Sequence, residues 1–510
     1  MKFKYDKVKE ELVVTEASRI EYHQLEIWLS RNVKGYRFMP AYKMGIWNGQ
    51  NSYFRDGHVN LGLWKECLKA AKEIGANFQV ENKEDFPLNR EVTMNSVREF
   101  CDEFFNKHKV KNKDGGWSDF MPYDHQIDTA FKILKNRYCM AEVATSGGKS
   151  LIISIVIFYT LKNLNPDAKF LMIVPSITLV TQFYDNLLEY NYGEQTLAEV
   201  KDDKLEELLV GGEGKPSMPC TLRIEEVMSD KPRKHSGVKD ANIYIGTYQS
   251  LEKWPKEFFK QFHTVACDEA HGAKAQTTLT ILKKTIGHAY SRFGVSGTFP
   301  PDDSCEILTI QSVLGPKITE VSATHLKEKG IITPMKVKAV IMNHADPSFE
   351  RQMEEIRRGG LGKEVLNFEK KYIQESVKRK DIISKIVKRC DKNTLILFHS
   401  IEHGESLLKY LTNECPDKEF YYIDGSVKNK QREIIKAKME ETQTKVEYTI
   451  LNFGRYEIDV KSDKMILLSD GKYKKASDIN KNDDIDDKFI ETLRNDIKGV
   501  INADEDKRKY

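Results

Sequence analysis

From residue 120 to about 325 the chain alternates short, continuously apolar runs with longer segments whose apolar residues recur at helical spacing. The runs are CMAEVA, KFLMIVP, NIYIGT, TVACDEA and RFGVSGT, and one helical segment opens directly after Ser150. A run that is apolar at every position suits a strand buried on both faces, and helices between such strands imply crossover connections. The pattern therefore predicts an α/β domain with a parallel sheet over 118–328. A weaker series follows KGIITP at 329–334: VKAVIM, a charged helical stretch at 349–390, TLILFHS, EFYYIDG and a helix at 428–441. It predicts part of another α/β domain over 329–444. Between two strands of the first domain, 198–240 is charged and carries glycine and proline, which predicts a largely exposed insertion. Over 445–510 the short alternating pieces YTILNF, YEIDV and KMILLSDGKYKKASDI predict hairpins, followed by an acidic, helix-prone end.

Ahead of these domains, Ile20, Leu25, Ile27 and Leu29 predict a short helix within 18–34, and a second helix is expected over 61–74. GYRFMPAYKMGIWNGQNSYF sets short aromatic segments between glycines, as a small sheet would. The polar stretch 107–119 offers few apolar anchors, so a boundary is placed near 117, and 1–117 is expected to be a small α+β domain.

Composition narrows the function classes. The hydrophobic fraction of 40% and charged fraction of 31% are those of a globular protein, and runs such as 151–158 are too short to cross a bilayer. MKFKYDKVKEELVV lacks the apolar stretch of a secretory signal, so a cytoplasmic location, with no membrane partner, is expected. Eight cysteines without a C-x-x-C pair argue against a zinc site or a disulfide framework. The net charge of +3 says little about nucleic acid, so that question rests on local distribution.

The chemistry begins at VATSGGKS, 143–150, which follows a strand-like run and opens an apolar helix. Backbone N–H groups around Thr145, Ser146, Gly147 and Gly148 would face phosphate oxygens at a helix N-terminus, Lys149 would reach the β- and γ-phosphates, and Ser150 would offer its hydroxyl to Mg²⁺. Val143 stands where the general pattern has glycine, and an ordinary glycine turn into a helix is the competing reading. The second signal is DEAH at 268–271, at the end of the strand-like TVACDEA. Asp268 can hold Mg²⁺ through water, Glu269 can polarise the attacking water, and His271 completes the catalytic set. An acidic helix start would explain the tetrapeptide alone. Its spacing of about 120 residues from the phosphate loop, inside one α/β unit, favours ATP hydrolysis.

These residues resemble the superfamily 2, DEAH-type helicases, and the likeness can be followed through roughly 120–440. It implies a RecA-like P-loop motor domain followed by a second, partial RecA-like domain. It also implies that Gln126, 23 residues before Lys149, reads adenine. IVPSITLVTQF at 173–183 and IGTYQSL at 245–251 resemble the family's DNA-tracking segments, with Ser176, Thr178, Thr247 and Gln249 as phosphate contacts. SGT at 296–298 resembles the segment that couples hydrolysis to strand movement, through Ser296 and Thr298. LILFHS at 395–400 and IDGS at 423–426 resemble the opening strands of the second domain.

The N-terminal GYRFMPAYKMGIWNG at 35–49 further resembles the phage recombination-repair members of the family. That likeness implies work on branched or single-stranded DNA: junction migration, fork regression, and unwinding of displacement loops or RNA–DNA hybrids. Residues 31–55 hold five basic and no acidic side chains among six aromatics. Either they form a surface that stacks bases and neutralises phosphates, with Arg37, Tyr42, Lys43 and Trp47 as its contacts, or the aromatics are the core of a small domain.

One departure stands out. The family's Q-x-x-G-R-x-x-R arginine-finger pattern is not found after residue 441, and NFGRYEI at 452–458 lacks its first glutamine and last arginine, leaving Arg455 an ordinary residue. VKSDKMILLSDGKYKKASDINKNDDI is loosely similar to hairpins of self-splicing inteins, and a frameshifted or divergent tail explains it equally well. Two expectations follow: a complete ATP-driven motor, or a half-motor completed by a second polypeptide. A nuclease is disfavoured because no P-D…E-x-K pair is present.

Overall fold

The structure, a computed structural model, describes residues 1–82, 91–106, 108–111, 116–193, 220–227, 240–332, 347–358, 362–390, 393–398 and 400–427, with a few single residues and short segments besides. Residues 1–336 form one compact unit and 337–510 a second.

The first unit is organised by seven parallel strands in the order β12-β13-β11-β14-β15-β10-β16. They are β10 (Tyr138–Val143), β11 (Phe170–Val174), β12 (Ile224–Val227), β13 (Ile243–Thr247), β14 (Thr264–Asp268), β15 (Ser291–Ser296) and β16 (Lys317–Val321). β11 and β13 are buried at every residue, as expected of strands covered by helices on both faces. Helix α6 (Lys149–Tyr159) is apolar around its circumference and is buried from Leu151 to Tyr159, so it is the helix most deeply packed against the sheet. One expectation is corrected here, and one strand was not foreseen. β12 and the buried Cys220 and Leu222 lie inside the stretch read as an exposed insertion, so 220–227 is sheet edge; the rest of 198–240 falls almost wholly outside the described residues. β16 has no continuous apolar run and is only partly buried, which is why its sequence did not announce it.

The N-terminal part is a mixed five-stranded sheet, β5-β6-β2-β1-β7, built from β1 (Lys2–Asp6), β2 (Glu11–Thr15), β5 (Phe54–Arg55), β6 (His58–Asn60) and β7 (Gln79–Val80). Helix α1 (Arg19–Trp28) starts at a capping box between Ser18 and Glu21 and buries Leu25, while Ile20 and Ile27 remain exposed. Helix α3 (Trp64–Glu73) buries Cys67, Ala70 and Ala71. Phe3, Leu12, Val14 and Phe54 share one continuous hydrophobic core with Met140, Leu171, Val265 and Ile307 of the seven-stranded sheet and its helices. Backbone approaches are close: a Cβ on Gly62 would lie 1.9 Å from the carbonyl oxygen of Gln311, so no larger residue fits there.

A buried charge network also joins these parts. Glu10, in the β1–β2 turn with φ 52°, pairs with Arg292 at the start of β15, both side chains being 4% exposed. Glu10 Oε1 also accepts from Gly287 N–H (2.6 Å) and from the Tyr138 hydroxyl (3.2 Å). Arg292 Nε donates to Val313 O (3.0 Å), and its guanidinium lies 4.4 Å from the Tyr138 ring centroid.

In the second unit the charged stretch resolves into helices Pro347–Arg358, Gly362–Glu375 and Val377–Arg389. β17 (Thr394–Leu397) leads into helix Ile401–Glu414, and β18 (Thr449–Asn452) pairs with β17 in parallel. YTILNF is thus a sheet partner of TLIL rather than half of a hairpin. EFYYIDG at 419–425 does not form a strand; Tyr422 instead stacks on Phe398 at 5.3 Å. β19 (Met465–Leu467) and β20 (Tyr473–Lys475) do form an antiparallel pair. VKAVIM, Arg455 and the acidic end lie outside the described residues, as does part of the 428–441 helix. Among the described residues, no helix is long and apolar enough to cross a membrane. Seven cysteines are buried, Cys390 is half-buried, and all eight are unbridged.

Candidate nucleotide and nucleic-acid site

β14, β15 and β10 are neighbours in the sheet, so the segments that leave their C-terminal ends meet at one edge. They are Asp268–His271, Ser296–Thr298 and the loop 144–148. Gly148 (φ 82°) adopts the left-handed conformation at the helix start, and so does Ser146 (φ 65°). A Cβ at 148 would stand 2.0 Å from Gln126 Nε2, and one at 147 would stand 2.7 Å from Val143 Cγ1. The close packing around Gly147 and Gly148 thus excludes side chains at both positions. The first-turn N–H groups of α6 have no acceptor within the helix, and Thr145 and Ser146 are exposed beside them.

Lys149 Nζ donates to Glu269 Oε1 at 2.8 Å. Glu269 itself is left-handed (φ 48°), and its other oxygen accepts from Ser296 Oγ (3.2 Å) and faces His271 Nδ1 (3.2 Å). His271 Nδ1 also lies 2.9 Å from Ser296 Oγ, and Ser296 Oγ contacts the Thr298 carbonyl at 2.9 Å. Ser296, fully buried, is therefore the hub through which the SGT segment touches both Glu269 and His271. Thr298 takes part through its backbone.

The two adjacent carboxyls are driven apart. Burial pushes Asp268 above the usual carboxylate range, and the neighbouring Glu269 charge adds to this. Burial also disfavours Glu269 ionisation, but the Lys149 hydrogen bond and charge outweigh it, with help from His271 and Ser296, and hold Glu269 below its usual range. Asp268 Oδ1 is buried without a hydrogen-bond partner. A buried carboxylate oxygen left unmatched is what a cation site looks like in the absence of its cation, so this donor set fits Mg²⁺. Ser150, in the first turn of α6, is half-buried.

Gln126, on helix α5 (Asp124–Asn136), is 5% exposed. Its Oε1 accepts from Tyr123 N–H (2.8 Å) and its Nε2 donates to Gly147 O (3.2 Å), so it clamps the phosphate loop to the start of α5. Two residues that the sequence reading passed over complete this corner. His125 Nε2 reaches the same Gly147 carbonyl at 2.9 Å, and Tyr123, half exposed, stacks on His125 at 5.8 Å. The aromatic-rich Y-D-H-Q was the available signal.

The tracking candidates divide. Ser176 caps helix α7 (Ile177–Tyr192) through Leu179 N–H, is exposed, and sits beside the exposed Thr178. Gln249 is exposed as well. Thr247 is a correction: it is 3% exposed, its Oγ1 accepts from Ser250 N–H (3.3 Å), and it is a buried cap rather than a surface donor.

The N-terminal candidates are on the surface. β3 (Ser30–Asn32) and β4 (Gln50–Ser52) pair antiparallel and close the base of an excursion over 33–49. Within it run a short 3-10 turn, Tyr36–Phe38, and helix α2, Pro40–Lys43, where a small sheet was expected. No residue from Val33 to Asn48 is buried, so of the six aromatics of 31–55 only Phe54, and Tyr53 packed beside it, belong to the core. Arg37 and Lys43 are exposed, as are Phe38 (69%), Met44 (65%) and Ile46 (75%). Tyr42 meets Tyr36 edge-on at 4.8 Å, and Trp47 Nε1 donates to Gln50 O at 2.8 Å, fixing these two half-buried rings.

Residues 123–307 match the DEAD/DEAH box helicase family. The chain is 27% identical over 422 residues to the ATP-dependent DNA helicase UvsW of Enterobacteria phage T4, covering 82% of this chain and 74% of that protein. A crystal structure of the T4 UvsW helicase aligns over 62% of this chain and all of that one, at 23% identity and a TM-score of 0.48. A second UvsW structure aligns over 89% of this chain and 80% of that one, at 21% identity and a TM-score of 0.49.

Proposed function

We propose that this chain, a superfamily 2 DEAH-type helicase homologous to phage T4 UvsW, is an ATP-driven DNA helicase or translocase that acts on branched DNA. Its substrates would be migrating junctions, regressing forks, and displacement or RNA–DNA loops. Residues 118–328 form the ATPase domain, 1–117 the DNA-binding accessory part, 329–444 a partial second motor domain, and 445–510 a divergent segment.

The observation that carries this reading is the meeting of Lys149, His271 and Ser296 on the Glu269 carboxylate, directly beside Asp268, whose buried oxygen has no partner. Mg²⁺-bound ATP, when present, supplies the transferable γ-phosphoryl group and neutralises its developing charge. Asp268 and Ser150 would hold the ion, while the 145–150 backbone and Lys149 hold the phosphates. Lys149 must leave Glu269 to do so. Glu269 then loses the partner that keeps it acidic, becomes a better base, and orients the attacking water while Ser296 and His271 keep its second oxygen in place. Ser296 would pass the change at Glu269 into the SGT segment.

The test is ATP turnover with and without branched DNA, beside a Lys149→Ala control. DNA-stimulated turnover abolished in the control is the expected result; turnover unchanged by that substitution would overturn the reading. A second reading, an ATP- and DNA-binding half-motor completed by another polypeptide, is favoured by the sequence having no Q-x-x-G-R-x-x-R pattern after residue 441. It expects nucleotide and DNA binding without turnover.

A further inference from the structure

Helix Val377–Arg389 of the second unit, VKRKDIISKIVKR, carries six basic residues and one acid in a chain whose whole net charge is only +3. The helix sorts these charges by face. Ile383 and Val387 are buried against Leu407 and Leu411 of helix Ile401–Glu414. The single acid, Asp381, is taken by the Tyr410 hydroxyl, and Lys380 Nζ donates to Ser406 Oγ at 2.7 Å. Lys378, Lys385, Lys388 and Arg389 are exposed, and Lys388 reaches Glu414 at 3.2 Å. At about 1.5 Å rise per residue, Lys378, Lys385 and Arg389 form one stripe roughly 16 Å long, because positions i, i+7 and i+11 share a face.

We infer that this stripe is a docking surface for the phosphate backbone of duplex nucleic acid. It rests on the DNA-motor reading above and names a contact outside the tracking segments. Charge complementarity selects the occupant. Duplex DNA presents one negative charge per roughly 1.7 Å of axis, so a stripe of this length meets several phosphates at once. An anionic membrane fits less well: the apolar side of the helix is already spent on Leu407 and Leu411, and Val377 is the one exposed apolar residue on it, so little would insert into the bilayer. Contacts of this kind position a duplex without reading its sequence.

The test uses the full chain carrying Lys378→Gln, Lys385→Gln and Arg389→Gln together, binding a fluorescent duplex across a salt series without nucleotide. The expected result is roughly tenfold weaker binding at about 0.1 M salt, with the log–log salt slope reduced by about 2 to 3, since each phosphate contact contributes about 0.9. Turnover of ATP without DNA should be unchanged, and arginine at 378 and 385 should restore the slope. Unchanged affinity and slope, with the wild type binding duplex normally, would overturn the docking surface and leave the motor reading standing. Binding of the wild type to phosphatidylserine vesicles but not to duplex would overturn both.

Discussion

Two carboxylates sit at opposite ends of the seven-stranded sheet and have opposite surroundings. At the base of β15, Glu10 meets Arg292, the Gly287 N–H and the Tyr138 hydroxyl; at the top of the adjacent β14, Asp268 keeps a buried oxygen with no partner. Glu10 is buried and fully matched, whereas Asp268 is half-buried and keeps one buried oxygen unmatched. A buried carboxylate with both oxygens matched holds architecture together, whereas one with an unmatched buried oxygen leaves room for a ligand. The contrast is one between these two carboxylates and not between all polar atoms, since Arg292 Nη1 beside Glu10 is also buried without a partner.

Three substitutions would sharpen or break that contrast. The largest effect is expected beside Asp268: Glu269→Gln should lower ATP turnover by about 10²- to 10⁴-fold while nucleotide binding is retained. A loss under tenfold would place the base elsewhere. At the other end, Glu10→Ala strands Arg292 and should cost about 3–5 kcal/mol, read as a lower urea midpoint. A midpoint that does not move would show the network to be dispensable. The smallest effect has the opposite sign. Asp268→Asn removes an unmatched buried charge and should raise the melting temperature of the nucleotide-free protein by about 2–4 °C at neutral pH, at the expense of activity. Because the folded-state pKa of Asp268 is raised, the wild-type group is penalised above that pKa and relieved as pH falls through it. The gain should therefore shrink on acidification; a gain independent of pH would assign it to packing.

The seven-stranded sheet was legible where strands are apolar at every position, as in Phe170–Val174, and the phosphate loop and DEAH were legible because their chemistry is confined to a few adjacent residues. β16 was missed because an edge strand covered on one side carries no continuous apolar run. The N-terminal excursion was misread for a related reason: its glycines and aromatics fit hairpins, but Pro40 opens a helical turn and the rings stay at the surface. The faces of α1 were half right, Leu25 lying inside and Ile27 outside. Thr247 looked like a donor because capping and phosphate contact call for the same short hydroxyl, and only its burial separates the two. The pairing of Glu10 with Arg292 left no local trace at all, since a contact between residues 282 positions apart is a property of the fold.

That separation also governs how the chain is made. Residues 1–16 leave the ribosome well before the strands and helix they dock against, which are complete only after Leu314 has been added. At roughly 5–20 residues per second, Phe3, Leu12 and the Glu10 carboxylate wait on the order of 15–60 s for their partners. During that interval the β1–β2 hairpin is an unpaired apolar edge, so aggregation during synthesis, rather than instability of the finished protein, is the hazard created by sharing one core between the two ends of this unit.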